Sequence, residues 1–161
     1  MSEITGITEV TDAVDLAIFD VDGTLVPGDT LVTLVRFAAA REPARVGRLL
    51  RRLPSVLRLF RHDSSRAKEL VLTAMLGGLR VDVLDDLARS VASSVRLSDE
   101  LVARLEQHRA AGQEVWLASA SIEPVVAALA ARVGAHGAVG TLLADEAGVC
   151  SGRYLGENCK G

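Results

Sequence analysis

Asp20 and Asp22 flank Val21 at the end of the apolar run Leu16 to Phe19, and Gly23 and Thr24 follow at once. The stretch "LAIFDVDGTL" is short, apolar and closed by a glycine turn, which suits a buried parallel strand better than a helix. Alternation along it turns Val21 one way and sets both carboxylates toward one crevice. Ligands of an open parallel sheet gather at the carboxyl ends of its strands, which is where this pair falls. Two neighbouring carboxylates drawn out of water repel each other and lose hydration, so a positive charge must compensate them. A divalent cation such as Mg²⁺, which takes carboxylate, carbonyl and phosphate oxygens, is suited to that position. Gly23 permits the tight turn, and the N–H groups after it can meet an anion.

The elements that position this pair follow from the apolar periodicity. "GQEVWLASAS" contains a second strand, Glu114 to Ala118, and "GAVGT", Gly137 to Thr141, a third. Between the first two lies a long helical stretch. "TLVTLVRFAAAR" reads as one helix, and "ARVGRLLRRLPSVLRLFRH" as a second, bent or broken at Pro54. "SSRAKELVLTAMLGG" reads as a third, ending at Gly77 and Gly78. "VDVLDDLARSVASSV" and "SDELVARLEQHRAAG" complete the series, the last with Ser98 as N-cap and Gly112 past its end. "IEPVVAALAARVGA", stopped by Gly134, joins the second strand to the third, so the sheet is expected to be parallel and covered on both faces. "LLADEAGVCSGRYLG" reads as a hairpin turning near Gly148. The fold class is α/β, a Rossmann-like three-layer core with an incomplete parallel sheet and an inserted helical cap. Its expected divisions are core over 1–28, cap over 29–112 and core again over 113–161.

These residues carry a resemblance. "DVDGTL" resembles the first signature of the haloacid dehalogenase superfamily, and "VWLAS", ending in Ser119, resembles its second. The tail "VGTLLADEAGVCSGRYLGENCKG" is similar to the branch containing phosphoserine phosphatases, the IB branch, which places a helical cap where this chain has its insertion. The resemblance implies a Mg²⁺-dependent phosphomonoester hydrolase that passes through an aspartyl-phosphate and acts on a small phosphorylated metabolite. Asp20 would be the nucleophile and a metal ligand. Asp22 would be the general acid and base, with its backbone carbonyl on the metal. Gly23, Thr24, Ser119 and Ala120 would hold phosphoryl oxygens. Asp29 stands where the branch carries an acid that contacts substrate, and as a preferred N-cap residue it is also suited to start the first cap helix.

The superfamily completes its chemistry with a lysine and an acidic pair. Lys160 is the lysine near the site, one short step early for the family spacing, and no acidic pair follows before Gly161. The implied picture is a chain truncated at its C-terminus, with the Asp20 strand left at an open sheet edge that could self-associate. The alternative reading is a catalytically incomplete fragment or a phosphate- or metal-binding protein of the same fold.

Composition narrows the remaining choices. The chain has 161 residues, 49% of them hydrophobic, enough to fill one core. The start "MSEITGITEVTDAV" has no signal-peptide pattern and no run nears the roughly 18 apolar residues of a membrane span, so a cytoplasmic protein is expected. Cys150 and Cys159 lack metal-ligand spacing and read as reduced thiols, and His62, His108 and His136 are scattered. Between Arg41 and Arg66, eight arginines oppose only Glu42 and Asp63, a segment of +6 in a chain of net −3. That basic helical segment suits a solvated cap face, an anionic substrate or peripheral contact with a phospholipid surface. Nucleic acid is not expected, because aromatic residues make up 3% of the chain and offer no stacking surface.

Overall fold

A computed structural model of the chain describes residues 15–156. Lys160, Cys159 and the N-terminal segment lie outside the described residues. Three parallel strands, β1 (Leu16–Asp20), β2 (Glu114–Ile122) and β3 (Gly137–Thr141), form one sheet in the order β1-β2-β3. A separate antiparallel hairpin joins β4 (Leu143–Glu146) to β5 (Val149–Tyr154). Its turn holds Ala147 at φ 50° and Gly148 at φ 77°, the two left-handed positions that a tight hairpin needs.

Five helices separate β1 from β2: α1 (Thr30–Arg41), α2 (Ala44–Phe60), α3 (Ser64–Leu76), α4 (Val81–Ser94) and α5 (Asp99–Ala110). Side-chain caps begin three of them, at Asp29 and Ser98 as read from the sequence and at Asp63, which was not. Asp29 Oδ1 accepts the Leu31 and Val32 N–H groups at 2.8 and 3.1 Å, and Asp63 accepts the Arg66 N–H at 2.9 Å. The sixth helix, α6 (Glu123–Val133), stops at Gly134 in the left-handed conformation, φ 67°.

The structure departs from the sequence reading in three places. Of the bend or break expected at Pro54, the break is not found, because helix α2 runs continuously through it. Proline removes a single intrahelical donor there, and the carbonyl that loses its partner is that of Leu50, on an exposed turn. Strand β2 continues past Ala118 to Ile122, and its ladder to β3 is irregular between those two residues. Thr141 Oγ1 bonds the Ala120 carbonyl across this irregular stretch at 3.2 Å.

The third departure concerns cover. Ala17, Phe19, Val115 and Leu117 share one face of the sheet through the β1–β2 register. That face lies under α5 and α6, with Phe19 packed edge-on against His108 of α5 at 5.6 Å. On the other face Leu16 and Ile18 are 53% and 62% exposed, and Val139 is also exposed, so among the described residues cover on both faces is not seen. Strand β1 is the sheet edge. The apolar core continues into the inserted helices, where Leu34, Met75, Leu76 and Val91 are fully buried. The hairpin packs on α3, so close that a side-chain carbon on Gly152 would meet the Thr73 Cα at 2.6 Å.

Candidate active site

Asp20 ends β1 with its carboxylate exposed, and Thr24 Oγ1 donates to its Oδ2 at 2.7 Å. The chain then folds back on itself in a compact loop. Gly23, at φ 78°, donates its N–H to the Val26 and Gly28 carbonyls at 2.8 and 3.2 Å. Val26 and Thr24 return N–H bonds to the Val21 carbonyl at 2.8 and 3.3 Å. Val21 and Leu25, fully buried, anchor this loop in the core. The N–H groups of Gly23 and Thr24, expected to face an anion, are thus engaged within the loop in this arrangement.

Asp22 is held from two sides. The backbone N–H of Thr30, the first residue of α1, donates to its Oδ1 at 2.7 Å. Ser119 Oγ, on the extension of β2, donates to its Oδ2 at 2.7 Å. The helix terminus adds partial positive charge to the same carboxylate. Ser119 Oγ in turn accepts the Ser121 N–H at 2.9 Å, and Thr30 Oγ1 donates to Ser121 Oγ at 2.7 Å. Ser119, Ser121 and Thr30 are all buried, so this network is shielded from water.

The sequence reading named Asp22 and Ser119 but missed Thr30 and Ser121. A signal was available for Ser121: it alternates with Ser119 and so falls on the same side of β2 once the strand is extended. No local pattern marks Thr30. Asp29 does cap α1, and its residue also borders a cavity of about 520 Å³ shared with Thr33, Arg96, Ser98 and Asp99. Neither Asp20 nor Asp22 lines that cavity.

Among the described residues, neither Asp20 nor Asp22 is ion-paired, and no group of three His, Cys, Asp or Glu side chains is placed to hold a metal. The donor set nevertheless suits Mg²⁺, which is commonly held through one or two carboxylates with water and phosphate oxygens completing the shell. Asp20 supplies an exposed carboxylate. Both carboxylate oxygens of Asp22 already accept hydrogen bonds, so its backbone carbonyl is the better second donor.

A parallel sheet with an Asp-x-Asp loop at its carboxyl end, a serine on the neighbouring strand and helices inserted between them defines a Rossmann-like α/β fold with its crevice at the strand ends. The family model for haloacid dehalogenase-like hydrolases matches residues 17–161, and the chain belongs to that family. It is 30% identical over 159 residues to phosphoserine phosphatase SerB1 of Mycobacterium tuberculosis (strain ATCC 25618 / H37Rv), covering 91% of this chain and 50% of that protein. The chain spans about half the length of the curated relatives it matches. Among solved structures, a protein of unknown function from Bordetella pertussis Tohama I superposes with a TM-score of 0.72 at 25% identity, over 90% of this chain and 68% of that one. A phospho-aspartyl intermediate analogue of phosphoserine phosphatase superposes with a TM-score of 0.60 at 17% identity, over 91% of this chain and 65% of that one. The latter likeness concerns the fold. The helices inserted between β1 and β2 stand where the sequence resemblance places a helical cap.

Proposed function

We propose that the chain is a Mg²⁺-dependent phosphomonoester hydrolase of the cytoplasm that acts on a small phosphorylated metabolite through an aspartyl-phosphate. The observation that carries this reading is the convergence of Asp20, Asp22 and Ser119 at the carboxyl ends of adjacent strands, with Asp22 fixed by Thr30 and Ser119.

Asp20 is the nucleophile, oriented by Thr24 Oγ1. Its carboxylate oxygen bonds to phosphorus as the ester P–O bond breaks, and the leaving alkoxide takes a proton from Asp22. Water then attacks the phosphorus of the aspartyl-phosphate, Asp22 takes up a proton from it, and the Asp20 carboxylate departs. Ser119, with the main chain at Gly23, Thr24 and Ala120, holds the phosphoryl oxygens. For Gly23 and Thr24 this needs the loop to exchange its internal N–H bonds for the ligand. The Asp20 carboxylate and the Asp22 backbone carbonyl would hold Mg²⁺, which would supply positive charge beside the phosphoryl group when bound. Lys160 is proposed as a further phosphate contact. Asp29 is proposed as a substrate contact secondary to its capping role.

The division into core, cap and core over 1–28, 29–112 and 113–161 belongs to the same proposal. Helix α5 falls inside the 29–112 range but packs on the sheet, His108 against Phe19, so it is better grouped with the core layer than with the cap.

The test is hydrolysis of p-nitrophenyl phosphate and of small phosphomonoesters, with and without Mg²⁺, by the chain and by Asp20→Asn. The expected result is Mg²⁺-dependent turnover that falls at least about a thousandfold in the variant. Turnover that survives Asp20→Asn would refute the nucleophile. Phosphate or Mg²⁺ binding without turnover would instead make the chain a binding protein of this fold.

A further inference from the structure

Helix α2 carries apolar residues that stay exposed among the described residues. Val56 is buried and Leu49 and Leu59 are half-buried, where α2 packs on α3. Beside that contact a second row, Val46, Leu50, Leu53, Leu57 and Phe60, is exposed, with Leu50 at 60%, Leu57 at 59% and Phe60 at 50%. The row advances in steps of four, three, four and three. At 100° per residue it falls within an arc of about 80° and runs about 21 Å along the helix. Five large apolar side chains in one continuous row differ from the scattered exposed leucines of an ordinary surface.

The charges on the same helix show which partner the row fits. Helix α2 holds five arginines and no acidic residue. Two of them are engaged inside the fold. Arg45 is buried and bonds Glu42 and the Met75 and Gly77 carbonyls, and Arg48 bonds Glu42 and the Gly77 carbonyl. Arg51, Arg52 and Arg58 stay exposed, as does Arg61 just past the helix. On the helical projection Arg61 stands about 60° and Arg58 about 120° from the centre of the apolar row, both on the side away from the α3 contact, whereas Arg52 lies on the α3 side beside Thr73 and Ala74. A second copy of α2 laid on the row would add its own arginines to this basic surface and supply no carboxylate from the helix to meet them. A bilayer bearing anionic headgroups takes the apolar row below the headgroup level and the guanidiniums of Arg58 and Arg61 at it.

We infer that the exposed apolar row of α2, with Arg58 and Arg61 beside it, docks the chain onto an anionic phospholipid surface. The helix lies in the interface plane. Among the described residues no helix is long and apolar enough to cross a membrane, so the contact is peripheral. The inference rests on the outer surface of the helical layer and stands apart from the proposed chemistry at Asp20.

The experiment is co-sedimentation of the 161-residue chain with vesicles of phosphatidylcholine alone and of phosphatidylcholine with phosphatidylglycerol. Binding is expected for the anionic vesicles and to weaken as salt rises. Each arginine at an anionic surface is worth about fivefold in partitioning, so Arg58→Ala with Arg61→Ala should weaken binding about 25-fold. Leu50→Glu with Leu57→Glu should weaken it by at least about tenfold. Both leucines are solvent-facing, and unchanged far-UV circular dichroism would show that the fold is kept. The arginine pair serves as the independent variant should the glutamates disturb α2. Equal binding to neutral and anionic vesicles would overturn the proposal, as would undiminished binding by both double variants. A dimer in light scattering that the glutamates dissociate, without vesicle binding, would assign the row to a second copy and overturn it equally.

Discussion

Replacing Thr30 by valine removes one hydroxyl from a fully buried position and leaves shape, β-branching and the Thr30 N–H bond to Asp22 in place. What is lost is the 2.7 Å bond from Thr30 Oγ1 to Ser121 Oγ, which ties the start of α1 to the end of β2. The buried Ser121 hydroxyl then has no donor, and leaving such a group unsatisfied costs about 1–3 kcal/mol. Ser121→Ala should cost a similar amount, because it strands the Thr30 hydroxyl instead. The double variant removes both partners and leaves only a hydroxyl-sized void, so it should lie within about 1 kcal/mol of either single variant rather than at their sum. Urea unfolding followed by circular dichroism measures all four corners of the cycle. With a slope near 2 kcal/mol per M, each single variant should lower the midpoint by roughly 0.5–1.5 M. Strict additivity, or a Thr30→Val variant as stable as the parent, would refute the claim that this bond fastens α1 to the site.

Tyr154 is the only tyrosine in the chain, so its titration can be read directly at 295 nm. Burial, with smaller contributions from Glu69 and Asp63, pushes its phenol up to about 12. Because the folded value is raised, its stabilising contribution is full below about pH 10 and is lost as pH rises through 12, about 1 kcal/mol after solvent screening. A native-state titration centred near pH 10 would contradict this. Burial also pushes the Cys150 thiol up, against the Gly152 N–H that reaches its sulfur at 3.3 Å. In a Cys159→Ser background, Cys150 should react with an aromatic disulfide reagent at least about tenfold more slowly folded than in urea. Gly152→Ala combines a left-handed φ of 72° with a 2.6 Å approach to Thr73 Cα, and should cost about 2–4 kcal/mol in the same unfolding assay. A variant as stable as the parent would mean that β5 does not press on α3 so closely.

Local chemistry made much of this molecule legible in its sequence. The run from Leu16 to Asp20 forms β1 because a short apolar stretch before a glycine turn has few other uses, and the two carboxylates follow from its position at the strand end. Asp29, Ser98 and Gly134 bound helices because capping is settled within a few residues. The end of β2 was not legible, since the small residues Ser119 to Ser121 have weak strand preference and are held there by Thr141 and Thr30 from elsewhere in the chain. Tertiary structure alone decided that Thr30 meets Ser121 across 91 positions, that Asp22 is gripped by α1 and β2 together, and that Leu16 and Ile18 face outward. It also decided which half of α2's apolar surface is covered, because hydrophobic periodicity shows that a helix has an apolar side but not how much of that side its neighbours reach.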